Sequence, residues 1–189
     1  MTGIAEPRTE AVPAVDLAAV LARRFALSTE VPARFFRENA VAISEAALAM
    51  ARRFERGGRL LVFGEGPQAS DAEHVAVEFV HPVLVGKRAL PAIALPGDRG
   101  SLLSRLAVLA REQDIAMAIE GVRPGDGAAA GLALATTRGL LTIGLGSLAA
   151  DHRFVVDTMD PLVIQETHET LYHVLWELVH LFFEHRVAG

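Results

Sequence analysis

Arg59-Leu-Leu-Val-Phe-Gly64-Glu65-Gly66-Pro67-Gln68-Ala-Ser70-Asp71-Ala-Glu-His74-Val-Ala-Val-Glu78-Phe79 reads as one strand, one turn and one helix. The apolar run at 59–63, with glycines on either side, has the length and composition of a buried strand. Gly64, Gly66 and Pro67 make the turn. Ser70 is a candidate helix cap, and Glu73 three residues on completes a capping box. The same alternation continues toward the C-terminus. Residues 89–95 read as a strand and 102–111 as a helix. Strand 114–119, helix 126–138 and strand 140–145 follow, with a last short strand at 153–156. Pro161 then opens a long helix running to about Arg186. Toward the N-terminus, 16–56 reads as two helices, with Pro32 in the first turn of the second. Val41, Ile43, Ala47, Met50 and Phe54 recur there at helical spacing, and Gly57-Gly58 stop the run.

Strands and helices alternating at this spacing form βαβ units. The fold class is therefore α/β, a three-layer doubly wound parallel sheet of about five strands, with N-terminal helices and a long C-terminal helix. Residues 16–189 make one domain. Residues 1–15 mix Glu, Arg, Pro and Thr without an apolar stretch and are expected to be a flexible tail.

Composition removes several function classes. The chain has 189 residues, 51% of them hydrophobic, so it has the means for a substantial core. Its net charge of −5 and its lack of a dense basic run argue against nucleic acid as a partner. The apolar runs are broken by charge or glycine, so no membrane span is expected. No cysteine is present, which rules out disulfides and thiolate ligands and fits a cytoplasmic protein. The apolar content exceeds what one sheet face needs. It points to helices buried against other subunits, in a dimer or tetramer.

His74 and Glu78 lie four apart on the predicted helix, on one face, just beyond the carboxyl end of the first strand. Ligands bind at that edge of an open parallel sheet. The pair can ligate a metal ion or serve as acid and base. Taken alone it reads more readily as an ordinary surface pair at helical spacing. The final helix carries Gln165, Glu169, His173 and Glu177 at four-residue steps, a polar stripe beside Leu171, Leu175 and Val179. Glu166, Glu169 and Glu177 read as solvated, and His180 and His185 as packing or surface residues. The turns 64–70 and 120–126 flank the same edge and are poor in hydroxyls. Glu65 and Glu120 would repel a phosphate, each proline removes a donor, and Arg123 is the one evident anion partner.

These residues resemble the sugar isomerase (SIS) fold family, in particular the sedoheptulose 7-phosphate (phosphoheptose) isomerases. Gly64-Glu65-Gly66 followed by His74 and Glu78 is similar to that family's first signature. Gln165 and His173, eight apart, are similar to its last. The resemblance implies a Zn2+ site made by His74, Glu78, Gln165 and His173, with Glu78 and His173 as acid and base in aldose–ketose isomerisation. It implies a phosphorylated sugar as partner, with Gln68, Ser70 and Arg123 at the substrate-binding turns, and a tetramer. Departures accompany it. The Ser/Thr-rich phosphate turn is replaced by 120–125, Gln68 stands where a Ser is expected, and the stretch 96–103 is short. A family Asp falls near Leu162, with Asp160 as its substitute. These departures sustain an alternative, a non-catalytic SIS domain that binds a phosphosugar, another metabolite or a partner protein.

Overall fold

The structure, a computed structural model, describes residues 15–82, 84–122 and 125–185. The expected tail lies outside them, apart from Val15. The elements run α1 (Leu17–Glu55), β1 (Leu60–Gly64), α2 (Gln68–Val80), β2 (Ala92–Ala94), α3 (Arg99–Leu109), β3 (Ile115–Ile119), α4 (Asp126–Thr137), β4 (Leu141–Leu145), β5 (His152–Phe154) and α5 (Pro161–Glu184).

All strand pairs are parallel, in the order β2-β1-β3-β4-β5. β1, β3 and β4 are buried along their whole length because both sheet faces are covered. Side chains alternate between two cores. Leu60, Val62, Ile115 and Met117 meet α1, α2 and α5. Leu61, Phe63, Ala116 and Ala118 meet α3 and α4. The chain leaves β1 for β2 on one side and then crosses to β3 on the other. The strand order thus reverses between β1 and β3, and the turns after those two strands flank the crevice where ligands settle in such sheets.

The expected pair of N-terminal helices is one continuous helix of 39 residues with Pro32 inside it. An interior proline costs about 3 kcal/mol. Val31, Phe35, Ile43 and Met50 are buried along the same helix, at roughly 1.5–3 kcal/mol each for large side chains. That tertiary burial outweighs the local break. The capping box is also overturned. α2 starts at Gln68, with Pro67 as cap residue and no side-chain cap bond, so Ser70 lies inside the helix. Its hydroxyl donates to Pro67 O at 2.7 Å. The strand expected at 89–95 shortens to Ala92–Ala94, because Leu90 N donates back to Phe79 O at the end of α2. α3 starts three residues early, because the Asp98 carboxylate accepts from Ser101 N at 2.8 Å.

Asp114, 1% exposed, ties the entry of β1 to the entry of β3. It accepts from Arg59 N (2.9 Å), Arg59 Nη2 (2.7 Å) and Arg111 N (3.0 Å). Asp160 caps α5 through Leu162 N and Val163 N, and Arg24 of α1 pairs with it at 2.8 Å.

Candidate metal centre and active site

α2 and α5 lie together on one face of the sheet, and their polar stripes meet. One ligand atom each from His74, Glu169 and His173 lies within 4.8 Å of the other two. The His74 and His173 ring centroids are 5.4 Å apart. Two imidazoles and a carboxylate make a donor set suited to zinc and its neighbours, so these residues fit a divalent ion.

Hydrogen bonds fix the orientation of this group. Burial pushes the Tyr172 hydroxyl well above its ordinary pKa, and the charges of Glu169, Asp71 and Glu78 add to the effect. The phenol therefore stays protonated and shares a hydrogen bond of 2.8 Å with His74 Nδ1. The tautomer with its proton on Nδ1 leaves the Nε2 lone pair, 3.3 Å from Glu78 Oε1, for an ion. Glu169 Oε1 stands 3.8 Å from His74 Nδ1. Gln165 Nε2 donates to Asp71 Oδ1 at 3.0 Å. Asp71 thereby holds the amide nitrogen and leaves the Gln165 carbonyl oxygen free to act as a ligand.

The turns at the crevice are closed by side chains. Glu65 Oε2 accepts from Gly127 N at 2.9 Å, so a carboxylate sits on the first turn of α4. A Cβ at Gly125 or Gly127 would lie 2.0 or 2.3 Å from that carboxylate, so only glycine leaves it room at either position. Glu120 Oε2 accepts from Ser147 N at 2.9 Å in the same way. The Gln68 amide packs against Gly121, where a Cβ would meet Nε2 at 2.7 Å.

A cavity of about 360 Å³ adjoins these turns, bounded by the segments after β3, β4 and β5 and by the start of α5. His168 forms part of its wall. It is 3% exposed, and its Nε2 is buried without a hydrogen-bond partner among the described residues. Such a group costs about 1–3 kcal/mol. Burial lowers the His168 pKa from 6.5 to about 4, so the ring is neutral at pH 7.

The residues singled out in the sequence fall as follows. His74 and His173 converge, and Glu78 reaches His74. Gln165 lies on the same face of α5, bonded to Asp71 rather than within the three-residue group. Gln68 lies between the two turns, Ser70 is engaged with Pro67, and Arg123 lies outside the described residues. Asp160 is occupied by its cap bonds and by Arg24. His180 is buried and bonded to Trp176 O and Arg88 O, a packing residue. Three members of the site went unnoticed. Glu169 was read as solvated, and it is exposed, with its carboxylate nevertheless close to both imidazoles. Asp71 and Tyr172 gave no signal, because their roles depend on which helices meet.

Fold and site together define an open-sheet α/β protein with a histidine–carboxylate group at the sheet's carboxyl edge. Comparison with known proteins narrows the class. Residues 25–127 match the family model described as SIS domain. A phosphoheptose isomerase of Desulfovibrio desulfuricans is 34% identical over 82% of this chain and 83% of its own. One from Thermodesulfovibrio yellowstonii is 34% identical over 80% of this chain and 86% of its own. The structure of a phosphoheptose isomerase from Francisella tularensis superposes with a TM-score of 0.80. It is 24% identical, and the match covers 88% of this chain and all of that one. The chain belongs to the SIS-domain family, in its phosphoheptose isomerase group. None of its described helices is long and apolar enough to cross a membrane.

Proposed function

We propose that this protein is a metal-assisted aldose–ketose isomerase acting on a sugar phosphate of the phosphoheptose class. The observation that carries the reading is the convergence of His74, Glu169 and His173 from two separate helices, with Glu78 against His74. Family membership supports it, since isomerisation is the activity the relatives are named for.

The reaction moves a proton between C1 and C2 through an enediol. Glu78 and His173 are the groups assigned to it. One takes the proton from carbon while the other serves the carbonyl oxygen. Tyr172 and Glu78 together hold the His74 ring in one orientation, and Asp71 holds Gln165. His74, His173, Gln165 and a carboxylate, Glu78 or Glu169, would hold the ion. A bound divalent ion, zinc by the donor types, supplies Lewis-acid polarisation of the substrate oxygens. Arg123, Gln68 and Ser70 are the assigned substrate contacts. Leu17, Val20, Leu21 and Phe25 expose an apolar face of α1, which supports a dimer or tetramer.

The Glu65 carboxylate on Gly127 N favours the second reading, a domain that does not turn over a phosphosugar. Two measurements decide between them. Metal analysis of wild type, His74→Ala and His173→Ala is expected to show about one divalent ion per chain, lost in both variants. Assay with sedoheptulose 7-phosphate is expected to show turnover that Glu78→Gln abolishes. Bound metal without turnover or phosphosugar binding would overturn the isomerase.

A further inference from the structure

His180 joins α5 to residues 84–91, the stretch that leads from α2 into β2. It is 2% exposed and lies near the C-terminal end of its helix. Its Nδ1 is 2.8 Å from Trp176 O, and its Nε2 is 2.9 Å from Arg88 O. Both partners are backbone carbonyl oxygens, which only accept. A neutral imidazole has one N–H and one lone pair, so it serves one of them and turns a lone pair on the other. An imidazolium donates to both. Burial works against such a charge, and several neighbours work for it. The Trp176 ring centroid is 4.3 Å from that of the imidazole, and the Phe183 ring meets it edge-on at 6.3 Å. A cation near the end of a helix also meets the negative pole of its dipole. The charged groups beside it are Glu177 and Glu184 on its own helix, His185 at the helix end, and Lys87 and Arg88 opposite. The bond to Lys87 holds the Glu184 carboxylate below its usual range, and the charges of His180 and His185 add to that effect. Arg88 sets its guanidinium over the Phe183 ring, 5.6 Å from the centroid. α1 and α2 bring apolar side chains, Phe54 and Phe79 among them, to the core that Trp176 joins.

We propose that His180 is a buried imidazolium clip, with Glu184 as its countercharge, that fastens residues 84–91 to α5 and releases them when the ring loses a proton. The clip needs both ring protons, so it is closed at low pH and opens as pH rises. Opening acts on the end of α2. Leu90, two residues past Arg88, donates its N–H to Phe79 O at 2.8 Å, beside Glu78. The clip therefore sets how firmly the helix that carries His74 and Glu78 is anchored at its end. The device holds whether or not the metal group catalyses isomerisation.

The test is amide hydrogen exchange of residues 84–91 in the purified full chain, from about pH 5.5 to about pH 9, on either side of an ordinary imidazole. Rates are corrected for the intrinsic effect of pH on exchange. Protection is expected to fall by about tenfold or more across that range, the worth of one hydrogen bond to a charged group. His180→Gln keeps a donor but cannot titrate, and its corrected protection should be flat. Glu184→Gln, at an exposed position, should move the midpoint of the fall to lower pH. The midpoint is the readout there, because Glu184 also pairs with Lys87. Glu184→Gln keeps the question answerable where His180→Gln fails to fold. Nitrogen-15 NMR of histidine-labelled wild type should show the His180 ring protonated at both nitrogens at about pH 5.5. Flat protection in wild type, a pH dependence that His180→Gln retains, a midpoint that Glu184→Gln leaves in place, or a single protonated ring nitrogen at the acid end would each overturn the proposal.

Discussion

Replacing His168 by Phe should flatten the acid side of the protein's stability profile. The unfolded chain takes up a proton at this imidazole as pH falls through its ordinary 6.5, whereas the folded chain accepts one only near 4. Between those values the unfolded state binds more protons, so stability rises with pH there. The contribution is complete above about 6.5, is lost progressively toward 4, and is absent below. A lowering from 6.5 to about 4, at 1.36 kcal/mol per pH unit, amounts to roughly 3 kcal/mol. The assay is urea unfolding of wild type and His168→Phe at pH 7.5, 5.5 and 4.0. A chelator keeps metal-ligand protonation out of the comparison, and a fixed protein concentration holds any subunit association constant. Carboxylates common to both proteins cancel in the difference. Between pH 7.5 and 4.0 wild type should lose about 3 kcal/mol more than the variant. Parallel profiles would refute the reasoning, and with it the buried neutral imidazole.

Other substitutions probe the remaining structure. Asp114→Ala leaves Arg59 and two backbone amides without their acceptor and should cost about 3–5 kcal/mol, read as a fall in melting temperature. A loss under 1 kcal/mol would deny the pair its role. Glu65→Gln removes the negative charge from the first turn of α4 and should lower the KM for a phosphosugar by about threefold to tenfold. An unchanged or higher KM would show that Glu65 does not compete with the phosphate. Phe25→Glu should shift the mass in light scattering from a dimer or tetramer toward the monomer, and a monomeric wild type would sink the subunit contact.

Much of the fold was legible because parallel βαβ units punctuate themselves. Gly57-Gly58, Gly64 and Pro161 mark ends that the structure keeps, and the runs at 115–119 and 141–145 have no reading other than buried strands. Pro32 misled because a local cost was weighed without the burial of Val31 and Phe35, which only the packed α1–α5 pair reveals. Ser70 misled because its hydroxyl found a nearer acceptor in Pro67 O. Within the candidate site, His74, Glu78, Gln165 and His173 were singled out by the family resemblance, since spacing alone favoured an ordinary surface pair. Glu169, Asp71 and Tyr172 enter it across about a hundred residues of sequence or as one more acid on an acidic helix, and periodicity carries no information of that kind. Gly125 was read as a turn residue and Gly127 as part of the helix after it. Their reason, room for Glu65, required the carboxylate's position.

α1 is 39 residues long and so spans about 58 Å at 1.5 Å per residue, well past the body of a domain this size. Arg24, in the first third of that helix, grips Asp160, the residue that starts α5, and Arg34 reaches Asp157 just before it. A displacement of the N-terminal half of α1 is thereby passed to the origin of the helix that carries Gln165, Glu169 and His173. Two guanidiniums act as struts between that half of α1 and the candidate site, so a change at either acid alters where the final helix is anchored.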